Sequence, residues 1–249
     1  MPAAVGMRPH PGQLAPGALP PGWRIYAIGD VHGCIDQLTA LHALIAEDAA
    51  RAPAARTTLI HLGDYVDRGP DSAAVLRTLL ESTPLVGPLA GAESVTLLGN
   101  HEVMLLDACD PQSHPGALPF WLDNGGAETL ASYGADPADP AACSAVPEEH
   151  LELLRHCPLH YEAGDYLFVH AGVRPGIPND RQDPFDLLWI REPFLSFEGD
   201  LPQVVVHGHT PAEVPAVRPH RIGIDTGACF GGALTCLVLE GHRLRFLTA

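Results

Sequence analysis

No run of apolar residues in this chain approaches the length needed to cross a bilayer, which argues against a membrane protein. The N-terminal stretch MPAAVGMRPHPGQLAPGALPPG is broken repeatedly by proline, so it lacks the continuous apolar core of a secretory signal, and the expected compartment is the cytoplasm. No CxxC pair and no zinc-ribbon spacing relates the six cysteines, Cys34, Cys109, Cys143, Cys157, Cys229 and Cys236; they read as reduced thiols, several of them in the core. Basic residues are few: 14 Lys and Arg stand against 30 Asp and Glu, a net charge of −16. Such a surface repels a phosphate polymer, so no nucleic acid is expected as a partner. A small phosphorylated substrate is not excluded, because metal ions and a few arginines can reverse the field locally. Internal repeats, coiled-coil heptads and a long flexible linker are absent as well.

What is present is enough chain, 249 residues with 46% hydrophobic content, for one large α/β domain with a buried core. The composition divides it into a disordered Pro/Gly/Ala-rich tail over 1–22 and a single folded domain over 23–249. Within that domain, short aliphatic runs alternate with helical periodicity. RIYAIG (24–29) precedes a helix over Ile35 to Ala50, TTLIHLG (57–63) one over Ser72 to Glu81, and SVTLLG (94–99) one that starts near His101. The segment from Cys109 to Val146 reads as loops around short helices, including 126–133, and 147–157 as one more helix. From Leu159 the character becomes mostly β, with strands at 166–169, 204–207, 221–225, 234–240 and 243–247; the last two form a hairpin about Gly241. Two packed mixed sheets flanked by helices are the expected fold.

The chemistry lies at the strand ends. The strands terminate in GDVHG (Asp30, His32), GDYVDRG (Asp64, Asp67, Arg68), GNHE (Asn100, His101), HAG (His170) and HGHT (His207, His209). Taken singly, each has an ordinary explanation: an Asp after a strand is usually an Asx-turn or helix cap, and a lone His is usually a structural hydrogen-bonder. Five apolar strands all ending in metal-capable groups is another matter, since ligands bind beyond the carboxyl ends of strands in α/β sheets. Oxygen and nitrogen donors without thiolate suit manganese, iron or zinc. Two such ions, roughly 3.5–4 Å apart, share and acidify a water and neutralise phosphoryl oxygens.

These motifs, in this order, resemble the phosphoprotein phosphatase family of metallophosphoesterases, above all its bacterial and phage branch. The likeness runs from about Trp23 to the C-terminus and includes LLWIRE and IDTGACFGGALTCL. It implies two divalent metal ions, with Asp30 and His32 on the first, Asp64 bridging, and Asn100, His170 and His209 on the second. It also implies that Arg68 and Arg191, with Asn100 and His101, hold phosphate oxygens. His101 would protonate the leaving oxygen, oriented by Asp67, as a metal-activated hydroxide attacks phosphorus in line. His207 lies outside the family's core set and reads as structural. Pro211 stands where nuclease relatives carry a further ligating histidine (GHxH), which points away from nucleases.

For the substrate, GDYVDRG and GNHE favour a Ser/Thr-type or dual-specificity phosphoprotein phosphatase acting on a phosphorylated protein or small phosphoester. The rival is a symmetrical diadenosine tetraphosphatase, to which the ending DTGACFGGALTCL is similar. Those hydrolases typically carry GNHD and a longer segment between HAG and GH than 173–206 here. A catalytically silent binding protein on the same fold is the remote third reading.

Overall fold

The structure, a computed structural model, describes residues 12–81 and 87–249. The disorder expected of 1–22 falls outside the described residues up to position 11, and from Gly12 onward the structure differs. Gln13–Leu14 form an edge strand, β1, antiparallel to Arg243 and Leu244. Leu19 is buried, and the Ala18 amide donates to the Asp165 carboxylate while the Asp165 amide donates back to the Ala18 carbonyl. Prolines deny this segment a helix of its own, but its backbone groups find partners far along the chain, which composition does not reveal.

The first half of the domain alternates as expected: β2 (Trp23–Ile28), α1 (Ile35–Arg51), β3 (Arg56–His61), α2 (Ser72–Leu80), β4 (Glu93–Thr96) and α3 (Asn100–Cys109). All six residues of β2 are buried, as befits a central strand covered on both faces. Helix α1 turns Leu38, Leu41, Ile45 and Ala49 inward at helical spacing, against Tyr26, Ile28 and Leu59 of the sheet. Asp71 caps α2 by accepting from the Ala74 amide at 2.9 Å. Truncating one of these core leucines to alanine costs about 2–5 kcal/mol.

Two short helices follow, α4 (Ala117–Trp121) and α5 (Ala127–Ser132), joined through Gly125, whose φ of +103° only glycine adopts easily. After α6 (Glu148–Arg155) come β5 (His160–Ala163), β6 (Tyr166–Val169), α7 (Pro184–Trp189), β7 (Val204–His207), β8 (Ala216–Val217), β9 (Arg221–Gly223), β10 (Thr235–Glu240) and β11 (Arg243–Thr248). Helix α7 breaks the β character expected there. Its signal is local: Asp183 accepts from the Phe185 amide at 2.9 Å, and Pro184 occupies the first helical position, where its missing N–H costs nothing.

The strands build a mixed sheet in the order β1-β11-β10-β2-β3-β4 and a second in the order β5-β6-β7-β9-β8. Ile25, Ala27, Ile60 and Leu237 of the first pack on Tyr166, Phe168, Val206 and Ile222 of the second. Helices cover the outer faces, α1 and α2 on the first sheet, α7 on the second. No described helix is long and apolar enough to cross a membrane.

Candidate metal centre

Strand register brings the motifs together. Ile28 lies opposite His61 in the parallel pair β2–β3, and His61 opposite Thr96 in β3–β4, so the loops bearing Asp30, Asp64 and Asn100 leave the first sheet along one edge. In the second sheet Phe168 pairs with Val206 and His207 with Gly223, which aligns His170, His209 and Asp225 in the same way. The two sheets approach closely here: a Cβ on Gly29 would fall 2.5 Å from the Ile224 carbonyl oxygen, and one on Gly208 would fall 1.9 Å from Asp30 Oδ1.

Asp64 is the hub. Its Oδ2 faces His32 Nε2 at 3.4 Å and His101 Nε2 at 4.0 Å, and its Oδ1 faces His170 Nε2 at 3.3 Å. Asn100 Oδ1 lies 2.8 Å from His170 Nε2 and 2.9 Å from His209 Nδ1. Two groups of side chains could each hold a metal ion, His32–Asp64–His101 and Asp64–His170–His209, sharing Asp64. Asp30 stands beside them: both its oxygens accept from the His209 amide, at 3.2 and 2.9 Å. Asp30, which the family resemblance puts with His32 on one ion, lies outside both groups of three, and His101 is the third member beside His32 and Asp64.

The imidazoles are aimed by backbone. His32 Nδ1 donates to the Val66 carbonyl at 2.7 Å and His170 Nδ1 to the Leu62 carbonyl at 3.0 Å, leaving both Nε2 lone pairs turned to Asp64. His101 Nδ1 donates to Asp67 Oδ2 at 2.7 Å. Arg68, exposed at the rim, reaches His32 Nε2 with Nη1 at 2.8 Å, and Arg191, also exposed, acts on His209 from α7's end. Burial, His170 and the Arg191 charge together hold His209 down at about 3. His207 points elsewhere, with Nδ1 on the Gly208 carbonyl and its ring edge-on to Phe194, as expected of a structural residue.

The donor set fits divalent cations. Asp30, Asp64, Glu102 and Asp225 are buried together, and neither Arg68 nor Arg191 is buried among them. Burial, with the Asp225 and Asp64 charges, pushes Asp30 well above the usual carboxylate range. Burial would do the same to Asp64, but His170, His101 and His32 hold it well below that range. Carboxylates crowded in this way cost several kcal/mol each unless a cation offsets them. Hard oxygen and imidazole donors suit such an ion.

Three supporting residues escaped the sequence reading. Buried Glu102 accepts from the amides of Asp64 (2.8 Å), Tyr65 (2.7 Å), Val66 (3.3 Å) and Gly99 (2.9 Å), and so fixes the loop that presents Asp64. Trp121 Nε1 donates to the Asp67 carboxylate at 2.9 and 3.0 Å, and Thr129 Oγ1 donates to its Oδ1 at 2.7 Å. Backbone strain marks the same place. Five described non-glycine residues have positive φ: His32 (44°), Asp64 (54°), Asp67 (72°), Arg68 (68°) and His209 (64°). Each costs about 1–3 kcal/mol, and all five carry a motif side chain. A cavity of about 810 Å³ beside Val95, Leu153 and Tyr161 contains none of the motif residues.

Residues 24–243 match the calcineurin-like phosphoesterase family, and the chain belongs to it. It is similar to a symmetrical bis(5'-nucleosyl)-tetraphosphatase of Dechloromonas aromatica, 38% identical over 88% of this chain and 94% of that protein. A protein of the same description from an Acidovorax species is 34% identical over 73% of this chain, which spans about half the length of that relative. Serine/threonine-protein phosphatase 1 of Salmonella typhimurium is 30% identical over 86% of this chain and 91% of its own length, which agrees with the phosphoprotein phosphatase likeness of the motifs. The solved structure of a candidate diadenosine tetraphosphatase superposes with a TM-score of 0.63 at 25% identity, covering 91% of this chain and 93% of that one.

Proposed function

We propose that the chain is a metal-dependent hydrolase of dinucleoside polyphosphates. Support for metal-assisted phosphoester chemistry comes from one observation above all: two clusters of buried imidazole and carboxylate share Asp64. The substrate class rests on the tetraphosphatases at 34–38% identity and the superposable candidate enzyme. This reverses the order of the readings drawn from GNHE and the short 173–206 segment, which put protein phosphatase first.

In this reading Asp30 and His32 belong to one divalent ion, Asn100, His170 and His209 to another, and Asp64 to both; manganese is the first choice, iron and zinc the alternates. Such ions supply Lewis-acid charge and acidify a water. The chain's own groups do the rest. Arg68 and Arg191 hold phosphate oxygens with forked, charge-assisted hydrogen bonds. His101, as the imidazolium whose Nδ1–H Asp67 holds and whose Nε2–H turns toward the centre, hands the Nε2 proton to the leaving oxygen. Residues 23–249 work as one catalytic unit.

One observation favours a protein phosphatase instead. The Dechloromonas alignment runs over 287 positions, more than the 249 residues of this chain, so that relative carries extra segments, whereas the Salmonella phosphatase aligns over 220 positions. Side-by-side turnover of diadenosine tetraphosphate and a phosphoserine peptide by the metal-loaded protein decides. Preference for the dinucleotide, with two ADP released, is expected; preference for the peptide would overturn the proposal, and no turnover of either would leave a binding protein.

A further inference from the structure

Two exposed phenylalanines flank the centre. Phe230, 65% exposed, ends a tight turn between Gly227 and Gly231, both left-handed (φ +70° and +87°), whose Gly227 amide is tied to the Asp225 carboxylate at 3.0 Å. Phe185, 66% exposed on α7, stacks on Trp189 with 6.1 Å between centroids and 19° between planes. Both connect to Asp64 through an unbroken series of contacts. On one side, Arg68 Cζ lies 5.5 Å from the Phe230 centroid, Arg68 touches His32, and His32 faces Asp64 Oδ2. On the other, Trp189 meets the edge of His209 at 6.4 Å, His209 meets His170 at 5.1 Å, and His170 faces Asp64 Oδ1. An aromatic platform thus stands at the end of each arm, one arm from each oxygen of the hub.

We propose that Phe230 and the Phe185–Trp189 stack are the seats of the two nucleobases of a dinucleoside polyphosphate whose phosphate chain crosses Asp64. This rests on the proposed function. A base offers a flat π face that stacks on an exposed ring whatever its sequence identity, and an arginine between ring and centre meets the phosphate that follows the sugar. Beside Arg68 and the Ala228–Cys229 turn, a cavity of about 390 Å³ has Asp36 and Gln37 in its lining to receive a base edge. A substrate with a base at each end uses two platforms; a phosphate on a single side chain does not.

The test compares kcat/KM for diadenosine tetraphosphate with that for inorganic tetraphosphate, which has no bases, in Phe230→Ala, Phe185→Ala and the double variant. The ratio should fall about 10-fold in each single variant and about 100-fold in the double, and Phe→Trp at either position should restore it. Equal losses on both substrates, or none on the dinucleotide, would overturn the platforms while leaving the hydrolase reading intact. A wild-type protein that cannot turn over diadenosine tetraphosphate overturns both.

Discussion

The two ends of β2 both bury charge, and they resolve it in opposite ways. At the start, Arg24 is only 3% exposed, yet its guanidinium meets Glu240 Oε2 at 2.7 Å and the Ala52 carbonyl at 2.5 Å, while Arg245 reaches Asp48 Oδ2 at 2.5 Å. Two arginines balance two carboxylates, and Tyr26 adds a hydrogen bond to Asp48 at 2.6 Å. Past the other end, Asp30, Asp64, Glu102 and Asp225 crowd together among imidazoles and backbone amides, with no arginine buried beside them. The chain contains no lysine at all, so arginine is the only fixed cation it could have placed there. Buried charge matched from within is architecture; buried charge left unmatched and held by strained backbone is a place kept for something from outside.

That contrast can be attacked at its strongest point. Asp64→Asn should remove most bound metal and bring turnover below about one thousandth of wild type, because one cluster loses its Asp64 oxygen and both lose the negative charge they share. Near-normal metal content by elemental analysis would refute the division drawn above. His101→Asn should lower turnover by about 10²–10⁴-fold where the leaving oxygen is an alkoxide, as in phosphoserine, and much less for p-nitrophenyl phosphate, whose leaving group needs little help from an acid. An equal loss on both would show that His101 serves the metal clusters rather than the leaving group, a live distinction given its place beside His32. Glu102→Gln replaces one of two oxygens, each of which faces two backbone amides, with a group that donates. Metal affinity, read by titration calorimetry, should weaken about 10–100-fold as the loop holding Asp64 relaxes.

The strands and the loops that carry the motif residues could be read directly from the sequence because their signals are local. An apolar run followed by GD, GNH or HAG needs no distant partner to be recognised, and the strands at 166–169 and 204–207 begin and end where the sequence places them. Glu102 could not be read this way. It comes directly after His101 as an ordinary first-turn acid, and its role exists only because the backbone of residues 64–66, some 37 positions earlier, comes to lie across it. Trp121 and Thr129 are hidden by the same distance, reaching Asp67 across 54 and 62 residues. Strand β1 pairs with the opposite end of the chain, so its Pro-rich surroundings resemble a free tail. Helix α7 was legible after all, in the Asp-Pro pair that caps it.

The smallest expected effect tests the other side of the comparison. Burial would raise the Asp48 carboxyl, but its bonds to Arg245 and Tyr26 hold it below the usual range. A depressed carboxylate gives its full stabilisation above the unfolded-state value of about 4 and loses it as pH falls through the lower folded-state value. Asp48→Asn should therefore cost about 2 kcal/mol near neutral pH, less than a fully buried pair because the Asp48 side chain keeps 18% of its exposure. Measured by urea denaturation, the gap between wild type and variant should narrow steadily below about pH 4, while kcat/KM stays unchanged throughout. A gap that persisted in acid would mean that Asp48 acts through shape rather than charge. A loss of activity would mean that the two ends of β2 are coupled, and the separation of scaffold from site would have to be redrawn.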